Sequence, residues 1–116
     1  MKLTLTVHTS DRSARVRVAG DLDFGSTGLL LDTVSDLLNE PSALQDLHLD
    51  FTDLAFCDSA GLSGLVLIHR RTTAAGLDLH LDDRPAQLER ILDITGLLEF
   101  LTTRSAARRP DESGLG

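Results

Sequence analysis

The spacing of apolar residues in this chain switches back and forth between two and about 3.6, and that alternation restricts the fold more than any single motif does. Leu3, Leu5 and Val7 alternate with Thr4, Thr6 and His8. After the polar turn Ser10-Asp11-Arg12-Ser13, Val16 and Val18 alternate with Arg15 and Arg17. Two such runs around a short turn predict a hairpin. Leu30, Val34, Leu37 and Leu38 then recur at helical spacing opposite Asp32, Ser35, Asp36 and Asn39, and the pattern stops before Pro41. Leu47, Leu49 and Phe51 alternate with His48, Asp50 and Thr52. A second helical pattern covers 62–75 and closes at Gly76, and Leu77, Leu79 and Leu81 return to the strand period. Pro85 opens a third helix, with Asp83 as its cap candidate and Leu88, Ile91 and Leu92 as its buried stripe. Gly96 ends it, and LLEFL (97–101) reads as a last short strand.

The resulting order, ββαβαβαβ, predicts an α/β fold: a mixed sheet of four to five strands packed against about three helices. With 116 residues the chain can build one core, and 3% aromatic content makes that core aliphatic. One domain over 1–101 is expected, followed by a flexible polar tail over 102–116 (TTRSAARRPDESGLG), with no internal repeats.

A formal net charge of -7 argues against a nucleic-acid partner, which needs clustered Lys and Arg. The short basic stretches, Arg70-Arg71 and 104–109, read as a solvated helix end and part of the tail. Cys57 is the single cysteine, so no internal disulfide forms and no Cys/His zinc pattern exists. The N-terminus has no apolar run of the signal-peptide kind and no stretch approaches membrane-spanning length, so a cytoplasmic protein with no membrane partner is expected.

The densest chemistry lies in FCDSAGLSGL, where an apolar strand gives way to a helix at Ser59. A serine on such a turn resembles the G-x-S-x-G nucleophile elbow, but Cys57 stands where the first glycine belongs. A hydrolase also needs a histidine base within reach. His8, His48 and His80 fall on outward strand positions and read as solvated. His69 lies ten residues further along the helix, about 15 Å away at 1.5 Å per residue. No catalytic residue is assigned. The glycines 20, 25 and 28 do not form a phosphate cradle, and Asp21 with Asp23 reads as a pair of loop acids, so neither cofactor nor metal is expected.

The plain structural role for Ser59 is a helix cap, worth about 1 kcal/mol, with Ser26 or Thr27 doing the same for the first helix. Capping leaves Gly61 and Gly64 unexplained, since each costs up to about 1 kcal/mol against alanine inside a helix. Their smallness implies that something approaches the helix backbone closely. The set Leu62, Leu65, Val66, Leu67 and Ile68 is also wider than one buried stripe, as in a helix that is sandwiched or partly kept for a partner.

Gly20-Asp21-Leu22-Asp23, the strand-to-helix run LHLDFTDLAFCDSAGL and the later PAQLERILDITGLLEFL resemble, in order and spacing, the STAS-domain anti-sigma factor antagonists of bacteria. The resemblance covers about residues 3–101 and implies the STAS fold and a non-enzymatic binding module. Such a module binds a serine-kinase anti-sigma factor, frees a sigma factor for transcription, is inactivated by phosphorylation and is restored by a serine phosphatase. Carried over, it makes Ser59 the phosphate acceptor and puts Asp58 beside it, with Asp23 in the neighbouring loop. Asp21, Asp23, Ser26, Asp58, Ser59, Gly61 and Leu62 then form the partner surface. Family members often carry a further C-terminal helix, whereas the residues after Leu101 read as a tail here, and Cys57 stands where a large apolar residue is common. A buried inert thiol is the expectation for Cys57, a redox-sensitive one the alternative. The other uses open to such a domain are a non-switching scaffold or a transporter-accessory subunit, with Ser59 then only a cap.

Overall fold

The computed structural model describes residues 2–40 and 44–102. Pro41 and residues 103–116 of the tail expected over 102–116 lie outside the described residues. Strands β1 (Leu3–Ser10) and β2 (Ser13–Leu22) form the hairpin, paired antiparallel from Leu3 opposite Gly20 to Ser10 opposite Ser13. Helix α1 (Thr27–Asn39) returns the chain so that β3 (Asp46–Asp50) lies parallel to β2, the crossover that parallel pairing requires. Strand β4 (Leu54–Cys57), helix α2 (Ser59–Ala74), strand β5 (Asp78–Asp82) and helices α3 (Ala86–Ile94) and α4 (Leu97–Leu101) complete the order. The sheet runs β1-β2-β3-β5, with β4 paired to the end of β2. The α/β mixed sheet expected from the periodicity is therefore present, with five strands and four helices among the described residues.

The helices cover one face of the sheet. Val16, Val18, Leu47, Leu49, Leu79 and Leu81 point into that layer and meet Leu30, Val34, Leu65, Ile68, Leu88 and Leu92, all buried in one aliphatic cluster. Phe51 is the one phenylalanine in it. The other face carries the polar half of each alternation. Arg15 bridges Asp50 (3.3 Å) and Asp82 (3.2 Å), and Arg17 holds Asp53.

The pentapeptide Asp-Leu-His-Leu-Asp occurs twice, as β3 and as β5, and the copies pair parallel and in register, His48 opposite His80. The expectation of no internal repeats missed this short duplication. Nor are His48 and His80 freely solvated: their rings stack at 4.3 Å and 13°, with His48 Nδ1 2.8 Å from Asp82 and His80 Nε2 2.9 Å from Asp46. His8 is exposed, as expected.

Two elements differ from the sequence reading. The fifth strand is Leu54–Cys57, and 97–101 form a helix. Leu97, Leu98 and Leu101 come to one side of a helical turn and pack on the core, while Glu99 and Phe100 stay outward. A strand would have put Glu99 on the same side as Leu97 and Leu101. The left-handed Gly96 (φ 77°) separates α3 from α4, and Phe100 then lies on His69 of α2 at 4.5 Å between ring centroids. Asp83 adopts positive φ and does not cap α3; Pro85 occupies the cap position.

Candidate functional site

The site forms where β2 and β4 end side by side, Asp21 opposite Phe56 and Leu22 opposite Cys57. Asp58 follows in extended conformation, and its backbone N–H donates to Leu22 O at 3.2 Å, fastening the start of α2 to the end of β2. Its Oδ1 accepts the Gly61 N–H at 2.9 Å, so Asp58 is the N-cap of α2. Ser59 is instead the first helical residue and is exposed. The cap role read for Ser59 thus belongs to its neighbour. Both residue types cap well, and the backbone hydrogen bond to Leu22 is what sets Asp58 in the extended conformation a cap needs.

The preceding loop is built on Asp23. Its carbonyl accepts the N–H groups of Ser26 (3.1 Å) and Thr27 (2.9 Å) and the Thr27 hydroxyl (2.6 Å), and its Oδ1 accepts the Gly25 N–H at 3.0 Å. Ser26 stands at the N-cap position of α1 without capping it. Its hydroxyl lies 2.7 Å from Asp21 O and 3.0 Å from Asp23 Oδ1, and accepts the Asp23 N–H at 3.0 Å, so it is consumed in closing the loop. The loop is tied to α2 by the Phe24 N–H, which donates to Asp58 Oδ2 at 3.2 Å.

Of the residues read as a partner surface, Asp23, Ser26, Asp58, Ser59 and Leu62 remain at least partly accessible, whereas Asp21 and Gly61 are buried. A Cβ at Gly61 would lie 2.5 Å from Leu22 O and 2.8 Å from Cys57 Sγ, and one at Gly64 would strike Thr27. The close approach implied by these two glycines is internal: it lets α2 settle on the ends of β2 and α1. Cys57 is buried beneath it, and burial, reinforced by the Asp58 charge, pushes its thiol up to about 11. That favours the inert reading over a redox-sensitive one.

Sequence reasoning missed the apolar rim of this end of the molecule. Phe24 is 87% exposed, Leu29 51% and Phe56 49%. The available signal was a phenylalanine inside the polar run DFGST (23–27), in a chain with only four phenylalanines. His69 is buried on α2 against Phe100, far from Ser59, so no histidine base stands at the serine. Among the described residues, no three His, Cys, Asp or Glu side chains are grouped to hold a metal ion, and no helix is long and apolar enough to cross a membrane.

A five-stranded mixed sheet with helices on one face and a capped serine turn at the end of β4 defines a class that comparison with known proteins identifies. The chain belongs to the STAS domain family, whose model matches residues 4–108. It is 27% identical over 101 residues to the anti-sigma-B factor antagonist of Bacillus subtilis (strain 168), covering 87% of this chain and 90% of the relative. An anti-sigma factor antagonist from Mycobacterium paratuberculosis superposes with a TM-score of 0.71 at 21% identity, covering 85% of this chain and 82% of the other. The Bacillus cell fate determinant SpoIIAA in its phosphorylated form superposes with a TM-score of 0.68 at 16% identity, covering 97% and 100%.

Proposed function

We propose that this protein is a cytoplasmic anti-sigma factor antagonist. Unphosphorylated, it binds an anti-sigma factor that is also a serine kinase, which frees a sigma factor for transcription. Phosphorylation of Ser59 ends that binding and a serine phosphatase restores it. The similarity to the Bacillus and Mycobacterium antagonists supports the role in general.

The observation that carries the switch is the division of labour at the start of α2. Asp58 does the capping, so the exposed Ser59 hydroxyl has no structural duty that a phosphate would disturb. A phosphoryl group adds about -1.5 to -2 charges at neutral pH, and at this position it meets free helix N–H groups and the positive end of the helix dipole. The fold therefore tolerates it. A partner fitted to a bare hydroxyl does not, because the dianion adds bulk and like charge next to Asp58 and Asp23 and must lose much of its water on docking. A hundredfold loss of affinity needs only about 2.7 kcal/mol.

The test uses Ser59→Ala and Ser59→Asp as baits in the source cells, with mass spectrometry of what each retains and peptide mapping of the native chain. The proposal expects a serine-kinase anti-sigma factor on Ser59→Ala, its absence from Ser59→Asp, and a phosphate on Ser59 that varies with growth condition. Identical retention by both baits, together with no phosphate under any condition, would sink it in favour of a non-switching scaffold.

A further inference from the structure

Three of the four phenylalanines stay out of the core, and Phe24 is the most exposed large apolar side chain among the described residues. It is not a loose end. Its own N–H is held by Asp58, and the residues on either side are closed into a tight turn by Asp23 and Ser26. A phenyl ring kept in water on a rigid loop is preorganised for burial against something else.

Gly28 gives a second, independent observation. It is the second residue of α1, where a side chain would restrict the unfolded chain and favour the helix, yet a Cβ there meets nothing within 4 Å and its φ is not in the left-handed region. Gly25 is nearly as open, with only Asp23 Oδ1 at 3.7 Å. Gly61 and Gly64 are explained by what packs on them inside the molecule. Nothing inside explains Gly28.

The third observation is charge. On the open face of the sheet Asp46, Asp50, Asp53 and Asp82 each hold an arginine or a histidine. Asp23 and Asp58, beside the Phe24 backbone, make no ion pair with a described residue.

We infer that Phe24 is the anchor of the partner interface, inserting into an apolar pocket whose basic rim is matched to Asp23 and Asp58 alone, while a segment of the same partner lies directly on the bare backbone at Gly25 and Gly28 beside Leu29. This rests on the proposed function and names how the anti-sigma factor kinase is recognised: by an aromatic knob beside the switch, with Ser59 at the margin where added charge breaks the seal.

The test titrates the full chain, without ATP, against each purified serine-kinase anti-sigma factor of the source organism by calorimetry. One of them is expected to bind, more weakly as salt rises. Phe24→Ala is expected to weaken binding at least twentyfold, and Ile94→Ala, which trims a side chain 76% exposed on α3, to leave it within twofold. Gly28→Ala and Gly28→Gln are expected to raise the melting temperature and yet weaken binding at least fivefold, an opposition that a purely structural role does not produce. If Ser59→Asp abolishes binding while Phe24→Ala or the Gly28 variants bind like wild type, the inference is overturned and the proposed function stands. Binding to none of the kinases overturns both.

Discussion

Phe24 and Asp58, 34 positions apart in sequence, are joined by a hydrogen bond of 3.2 Å from the backbone of one to the carboxylate of the other, and that same carboxylate caps α2. One side chain therefore carries both the loop and the helix start. Asp58→Ala is expected to cost about 1 to 2 kcal/mol, the upper part of the range for a lost cap. Ser59→Ala should stay within about 0.5 kcal/mol of wild type, as a surface change. Urea unfolding of the two variants checks the assignment; equal losses would return the cap to Ser59.

The glycines of α2 are expected to tolerate no side chain. Gly61→Ala drives a methyl into Leu22 O and Cys57 Sγ, both under 3 Å from the new atom, and overpacking of this kind costs about 1 to 3 kcal/mol. Thermal denaturation should show a clear loss despite alanine's better helix propensity.

Cys57 should be silent to a thiol reagent at pH 8 in the folded protein and react on unfolding. Folding raises the thiol from its ordinary 9.0 to about 11, with desolvation the larger cause and the Asp58 charge the smaller. The sign follows: this group's contribution to stability is fully present below pH 9.0 and is lost as pH rises towards 11. Unfolding curves across that window should show the decline, and Cys57→Ala should flatten it.

Asp50 titrates in the opposite sense. The Thr52 hydroxyl at 2.6 Å, then the Thr52 N–H at 2.9 Å, hold its carboxyl below the usual value of 3.8, against a smaller desolvation and with help from Arg15 and Arg17. Its contribution is present above 3.8 and lost as pH falls through the lowered value. Thr52→Val should therefore be less stable than wild type at neutral pH, with the gap closing in strong acid. Carboxylate shifts followed by NMR should show Asp50 moving up; an unchanged Asp50 would contradict the assignment.

Strand β2, α1 and the strands around His48 and His80 were legible because each has one face in the core, and a period of two or 3.6 follows directly from that; in β1 only Leu3 and Leu5 reach its edge and Val7 is exposed. Strand β4 was not. Leu54 and Cys57 are buried while Ala55 and Phe56 are exposed, which is no alternation at all, and pairing with β2 alone makes it a strand. LLEFL is too short to show a period by itself, and Glu99 already breaks a period of two; one helical turn instead brings Leu97, Leu98 and Leu101 onto the core. At the candidate site the serine turn was readable from its local sequence. Which residue caps depended on Leu22, 36 positions away, and the apolar rim depended on Phe24, from the loop after β2, and Phe56, from β4, arriving at one end of the sheet.

The duplicated pentapeptide of β3 and β5 sets identical segments side by side, parallel and in register, which is the lateral arrangement of an amyloid ladder confined to a single rung. A chain with such a sequence carries a template for its own copies whenever it is unfolded. What makes the pairing safe is its charge: Asp46 faces Asp78 and Asp50 faces Asp82, so two stray copies repel. Inside the molecule Arg15, delivered by β2, sits between Asp50 and Asp82 and relieves that repulsion. The arginine thus licenses within one chain an association that the aspartates discourage between chains, a gatekeeping against aggregation in which the key is supplied only by correct folding.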